Sequence, residues 1–263
     1  MKKLLFLAAI AMFVTGVNAQ EGAFAGGHFA YNSTWLMNPQ VFDDGAGQNP
    51  DVSWGYYYGL VLGYNFKDNM GVEVDFNVNK LTQKYDGEID VWLTDDEAGY
   101  KSHTTMNTFD IPVMMKFGEN SYFELGPLFH IVNKVNYTRD FNNDDEIGDV
   151  GVYKDLFYLC RNDERNVAEE FNSFGFGVAM GFGSDIPLVN DALYLNFGVR
   201  FNYILTDLGG VNGLGFNIDG YDGYHNNTDF VPEDNQDDEN EKDRFHTNPL
   251  YGGFKIGLKY RFN

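Results

Sequence analysis

Nine ionisable residues sit at alternate positions of segments that are otherwise apolar, and they are the first candidates for chemistry. Glu73, Asp75, Asp110 and Glu124 are acidic; Lys116, Arg200, Lys255, Lys259 and Arg261 are basic. Opposite charges facing one another out of water must pair, because an isolated buried charge is too costly to keep. Strung along a pore, the same groups would pass ions, so the set reads first as a structural charge network and second as a narrow ion path. Ser102 beside His103, with His130 in a neighbouring segment, raises a different chemistry: an imidazole that takes a hydroxyl proton makes a nucleophile. One such pair in a chain with five histidines is weak evidence, and catalysis ranks below a binding or structural role. The acidic clusters Asp95-Asp96-Glu97, residues 140–149 and residues 233–241 offer hard oxygens to Ca²⁺ or Mg²⁺. The run from Asp140 has no Gly at the sixth position and ends on Gly151 where an EF-hand needs Glu. A solvated acidic surface, with at most loosely bound Ca or Mg, is the expectation. The glycine series 210–215 lacks the Lys-Ser/Thr ending of a phosphate loop and reads as turn chemistry.

The elements that must hold these residues alternate with period two. Residues 254–262 place Phe254, Ile256, Leu258, Tyr260 and Phe262 on one face and Lys255, Gly257, Lys259 and Arg261 on the other. A soluble core would have to bury those cations beneath a second layer. A strand with its apolar face to lipid and its cations in a polar lumen accounts for every residue. The same pattern recurs at 54–66, in Val72, Val74, Phe76 and Val78 against Glu73, Asp75, Asn77 and Asn79, and at 105–117, 122–132, 174–182 and 193–203. In 105–117, Pro112 falls on the lumen side and implies a bulge or local irregularity. The Gly175, Gly177, Ala179 and Gly181 series leaves lumen space for larger neighbours. A first strand within 24–35 has no clear phase and is assigned because closure needs an even number.

Connections alternate in length. Those at 67–70, 118–121 and 184–192 are short, and those at 36–53, 82–103, 134–170 and 206–249 are long, as in outer-membrane barrels with short periplasmic turns and long outer loops. The long connections hold three, six, ten and eleven acidic residues against none, two, five and two basic ones, giving nets of -3, -4, -5 and -9. Together these make -21 of the -23 that remains when Lys2 and Lys3 are removed from a chain of net charge -21. Charge is concentrated at one end, away from lipid.

Residues 1–19 read as a cleaved export signal, with Lys2 and Lys3 before an apolar run and small residues before Gln20. No later stretch approaches the roughly 20 apolar residues of a transmembrane helix. The lone Cys160 cannot form an intramolecular disulfide or a cysteine-based metal site. Such an acidic chain is a poor partner for nucleic acid.

Three stretches carry a resemblance: residues 110–117 (DIPVMMKF), residues 123–127 (FELGP) and the Lys259-Tyr260-Arg261-Phe262 ending. Together they resemble the small outer-membrane β-barrel domain family of Bacteroidetes, PorT-like and OmpX-like members included. The resemblance implies an eight-stranded all-β antiparallel transmembrane barrel over 20–263, delivered by the barrel assembly machinery with Tyr260 and Phe262 as its C-terminal signal. Ten strands is the alternative, using residues 89–93 and 150–159, which we read as hairpin extensions above the membrane. The expected protein is a monomeric, non-enzymatic envelope barrel of a Gram-negative outer membrane, in contact with lipopolysaccharide, its loops binding a surface partner. The alternatives are a component of an envelope secretion system and a lipid A deacylase or acyltransferase.

Overall fold

The computed structural model describes residues 22–38, 49–90, 97–141, 165–189, 192–210 and 246–262. The strands among them are β1 (Gly22–Met37), β2 (Asn49–Asp51), β3 (Ser53–Lys67), β4 (Met70–Asp90), β5 (Glu97–Phe117), β6 (Ser121–Phe141), β7 (Arg165–Asn166), β8 (Phe174–Val189), β9 (Leu193–Ile204) and β10 (Asn248–Arg261). Eight of these, all but β2 and β7, form an antiparallel wall in chain order. The ring closes where β10 pairs with β1 from Phe24↔Arg261 to Met37↔Asn248, so the wall has no free edge. The short strands β2 and β7 pair with β4 and β6 without entering the ring. The wall is therefore eight-stranded; Ile89 and Asp90 continue β4, and residues 150–159 lie outside the described residues. Among the described residues no helix is long and apolar enough to cross a membrane.

Side chains alternate as the period requires. Phe76, Val78, Phe176, Met180, Phe197, Phe201, Ile256 and Leu258 are exposed outward, while Glu73, Asp75, Glu124, Arg200 and Lys255 are buried inside. The structure gives the first strand its phase: His28, Ala30, Asn32 and Thr34 point inward, Phe29 and Tyr31 outward. Trp54 stacks on Tyr31 at 5.2 Å toward one end of the wall. At the other, Phe123 packs on Phe182 at 5.1 Å and Tyr260 on Phe262 at 5.3 Å.

Several boundaries move. β4, β5 and β6 are 21 residues each, about twice what crossing the hydrocarbon needs, and so run through much of the expected 82–103 and 134–170 loops. The remaining long connections shrink as well, since β1 reaches Met37 and β10 begins at Asn248. The expected turn at 184–192 shortens because β8 continues to Val189, and this places Asp185 in the lumen. Opposite Pro112 the β4–β5 ladder skips from Val74↔Val113 to Asn77↔Asp110 without a register change. The register shift lies elsewhere, at Asn107/Thr108 against β6. There Asn133 and Lys134 are both exposed between buried Val132 and Val135.

The lumen has two storeys. Toward the short turns it holds the charges. Toward the long connections it holds an apolar cluster that includes Leu36, Leu81, Tyr85, Met106, Val135 and Tyr137. Val167 and Phe171, on the segment after β7, complete that cluster from above, where Val167 N donates to Val135 O at 2.8 Å.

Candidate functional site in the barrel interior

Arg200 is the centre of the charged storey. It lies on β9, four strands around the ring from β4, so its side chain crosses the lumen to reach the opposite wall. Its Nη2 donates to Glu73 Oε1 at 2.9 Å, its Nη1 to Asp75, and its Nε to Glu124 Oε1 on β6 at 2.7 Å. The planar fork suits this, since guanidinium presents five donors in fixed directions and binds carboxylates with more than one of them. Two lysines of β10 surround it. Lys255 Nζ lies 3.4 Å from Glu124 Oε1 and 3.7 Å from Glu73 Oε1, and Lys259 Nζ donates to Glu73 Oε2 at 2.9 Å. Arg200 is only 1% exposed, so these pairs sit out of water. The glycines of β8 make the space: a Cβ on Gly181 would meet Glu124 Oε1 at 2.6 Å, and one on Gly183 would meet the Tyr122 hydroxyl at 2.5 Å.

Below this cluster, Lys116 on β5 pairs with Asp185 on β8, and Lys259 Nζ lies 3.9 Å from the same carboxylate. Asn196 Nδ2 donates to Asp185 Oδ1 at 2.6 Å and to the Tyr122 hydroxyl at 2.7 Å. Asp185 lies outside the sequence-derived set because the strand that the alternation predicts ends at Phe182, whereas β8 runs on to Val189. With it, Glu73, Asp75, Asp110, Glu124 and Asp185 match Lys116, Arg200, Lys255, Lys259 and Arg261 in number.

Two expected members of the network have other partners. Among the described residues Asp110 pairs with no lysine or arginine: His130 Nδ1 donates to its Oδ1 at 2.6 Å, and the Tyr251 hydroxyl donates to its Oδ2. Arg261 stacks over the Tyr194 ring at 4.5 Å, at the mouth near the short turns. It lines a cavity of about 350 Å³ with Lys116, Asp185, Tyr194 and Asn65. His28 enters the interior unannounced by the sequence pattern; its Nε2 donates to Asn77 Oδ1 at 2.7 Å and lies 3.8 Å from Asp75.

The histidine-activated hydroxyl does not assemble. Ser102 is buried inside the barrel, and His103, the next residue, points outward with its Nε2 2.8 Å from the Thr138 hydroxyl. His130 pairs across the ladder with Asp110, eight residues along β5 from Ser102, which is roughly 26 Å at the rise of a strand. A proton cannot be passed directly over that distance.

Among the described residues no group of three or more His, Cys, Asp or Glu side chains is placed to hold a metal ion. The acidic clusters at 95–96, 142–149 and 233–241, the glycines 211–215, Cys160 and the signal residues 1–19 lie outside the described residues. Gly209 and Gly210, which are described, have positive φ of 68° and 77°, and Gly209 bridges to Phe171.

A family model described as "Outer membrane protein beta-barrel domain" matches residues 18–210, which takes in β1 to β9; the closing strand β10 lies beyond the match. No curated protein matches the chain. Among solved structures the chain is similar to the outer membrane protein OprG of Pseudomonas aeruginosa, with 17% identity over 95% of this chain and 99% of that one, TM-score 0.35. It is also similar to Ail of Yersinia pestis, at 12% identity over 92% and 99% of the two chains with TM-score 0.36. Neisserial surface protein A is similar at 12% identity, over 92% and 97%, with TM-score 0.34.

Proposed function

We propose that this chain, which belongs to the outer membrane protein β-barrel domain family, is a non-enzymatic envelope barrel that acts through its outer surface and not through its lumen. The observation that carries the reading is the filling of the interior. Arg200 ties β9 to β4 and β6 with three carboxylate bonds, and an apolar cluster lies above it on the same axis. A continuous water column needs space that these side chains occupy, as expected for an eight-stranded ring. The separation of Ser102 from His130 along β5 supports the non-enzymatic reading.

What remains is the end with the long connections, where the acidic residues are concentrated. Loops carried on a rigid scaffold are where binding residues concentrate. The partner this fits is a surface component that meets the acidic loops. Deletion of residues 207–246, which removes most of the connection between β9 and β10, tests it. Partner capture from envelope extracts should be lost while the truncated barrel still inserts and still migrates differently on gels when unboiled. Undiminished capture by the truncated barrel would overturn the loop assignment.

A further inference from the structure

The cavity of about 350 Å³ at the mouth near the short turns belongs neither to the brace around Arg200 nor to the outer loops. Its volume falls within the range of small-molecule sites. The floor is an ion pair already satisfied: Lys116 and Asp185 are buried and bonded to each other, and Asn196 and Lys259 serve the same carboxylate. The walls are different. Arg261, half-buried, lays its guanidinium on the Tyr194 ring and pairs with no carboxylate among the described residues, so its N–H edges stay available. Asp68 and Glu119 line the cavity from its exposed rim, and neither pairs with a cation among the described residues.

Ring order keeps these charges apart. Arg261 is on β10 and Glu119 follows β5, four strands round the eight-stranded ring, so the two stand on opposite sides of the mouth. Asp68 is in the turn before β4, the strand next to β5. Between the charges the lining offers two carboxamides, Asn65 and Asn120. A Cβ on Gly71 would meet Asn65 Oδ1 at 2.4 Å, so glycine at that position lets Asn65 lie against the wall. Asn120 O accepts from Asp185 N at 2.8 Å, and Gly118 N donates to Asn69 O at 2.9 Å. Gly118 has a φ of 118°, which suits glycine. The two short turns are thus tied to each other and to β8, and the rim is pre-formed, as small-ligand sites usually are.

We propose that this cavity binds a short peptide with free termini, its carboxylate on Arg261, its ammonium at Asp68 and Glu119, and its amide groups on Asn65 and Asn120. The charge layout selects that class. An anion alone would meet the two rim carboxylates, and a cation alone would leave Arg261 unused. Carboxamide side chains offer both a donor and an acceptor and so match a peptide group. The inference rests on the outer-membrane placement of the family, in which short turns face the periplasm and the peptide arrives from that side. It is independent of what the acidic loops bind.

The test uses the full chain refolded in uncharged maltoside micelles and titrated by calorimetry with trialanine, its N-acetyl form, its C-terminal amide and free alanine. Trialanine should bind the native chain. A hydrogen-bonded contact with a half-buried guanidinium contributes roughly tenfold to a hundredfold in binding constant, so the amide should lose about that factor. The rim carboxylates are exposed and contribute on the order of fivefold, which the acetyl form should lose. Arg261→Gln should no longer distinguish trialanine from its amide, and the double variant Asp68→Asn, Glu119→Gln should no longer distinguish it from the acetyl form. Deletion of residues 207–246 should leave these affinities unchanged, which separates this site from the outer loops. No binding of trialanine at millimolar concentration, or equal affinity of the native chain for the blocked peptides, would overturn the proposal without any variant. So would native affinity in Arg261→Gln, and free alanine binding as tightly as trialanine would overturn the assignment to a peptide.

Discussion

Replacing Arg200 by Met removes the brace across the lumen, and the three carboxylates it holds are not left equally stranded. Glu73 keeps Lys259 at 2.9 Å and Lys255 at 3.7 Å, and Glu124 keeps Lys255 at 3.4 Å. Asp75 keeps only His28, at 3.8 Å. Removing one member of a buried ion pair costs about 3–5 kcal/mol, chiefly because the other charge is left uncompensated. Arg200→Met should therefore lower unfolding free energy by about that amount, with Asp75 the main source of the loss. Adding Asp75→Asn removes the stranded charge and should return roughly 1–3 kcal/mol. Adding Glu73→Gln in its place should return less, since two lysines already serve Glu73. With the single variants Asp75→Asn and Glu73→Gln added, these form two double-mutant cycles in which coupling to Asp75 exceeds coupling to Glu73. Urea titration of the barrel in zwitterionic vesicles, followed by tryptophan fluorescence and by the shift on unboiled gels, measures each value. Arg200→Met within about 1 kcal/mol of the native protein would refute the reasoning, because a solvated lumen would screen these pairs as it does at a surface. Equal recovery from both second substitutions would refute the ranking.

Two further perturbations examine the packing around that brace. Gly181→Val should cost about 1–3 kcal/mol by overpacking, since its Cβ falls 2.6 Å from Glu124 Oε1 and 2.8 Å from Val199 O, while Gly27→Ala, whose nearest neighbour is 3.6 Å away, should stay within about 0.5 kcal/mol in the same urea assay. Leu81→Ala in the upper apolar cluster should cost about 2–5 kcal/mol, the value for a packed core; a loss well below 1 kcal/mol would show that the upper storey is loosely filled.

Much of the wall was legible in the sequence because lipid imposes a strict pattern. Each outward position between the interfaces must be apolar, so the inward residues are known by default, and Glu73, Asp75, Glu124, Lys116, Arg200, Lys255 and Lys259 are all found inside and paired with one another or with Asp185. What alternation cannot give is who meets whom across the lumen. Asp110 goes to His130 and Tyr251 because those residues flank it on β6 and across the ring, and its nearest cations serve other carboxylates. Arg261 misses the network because it lies at the open mouth, where Tyr194 is within reach. His28 was hidden by the weak pattern of the first strand, in which Ala25, Gly26, Gly27 and Ala30 give neither face a strong hydropathy.

The misplaced loop boundaries have one cause, visible on β4. From Val72 to Val78 the outward residues are apolar and the inward ones are Glu73, Asp75 and Asn77; from Lys80 onward the outward residues are Lys80, Thr82, Lys84 and Asp86, and the inward ones include Leu81 and Tyr85. The period of two continues without a break while the polarity of both faces reverses. Outside, the solvent changes from lipid to water. Inside, the content changes from paired charges to a core like that of a soluble barrel, so a rule that equates apolar with outward ends the strand near residue 80 although its hydrogen bonds continue to Asp90. The reversal falls at Lys80 on β4, between Phe109 and Asn107 on β5, and at the Asn133 irregularity on β6. It therefore marks the upper limit of the lipid band on each of these strands, and the exposed lysines stand at that limit because it is the first height at which an outward cation is tolerated.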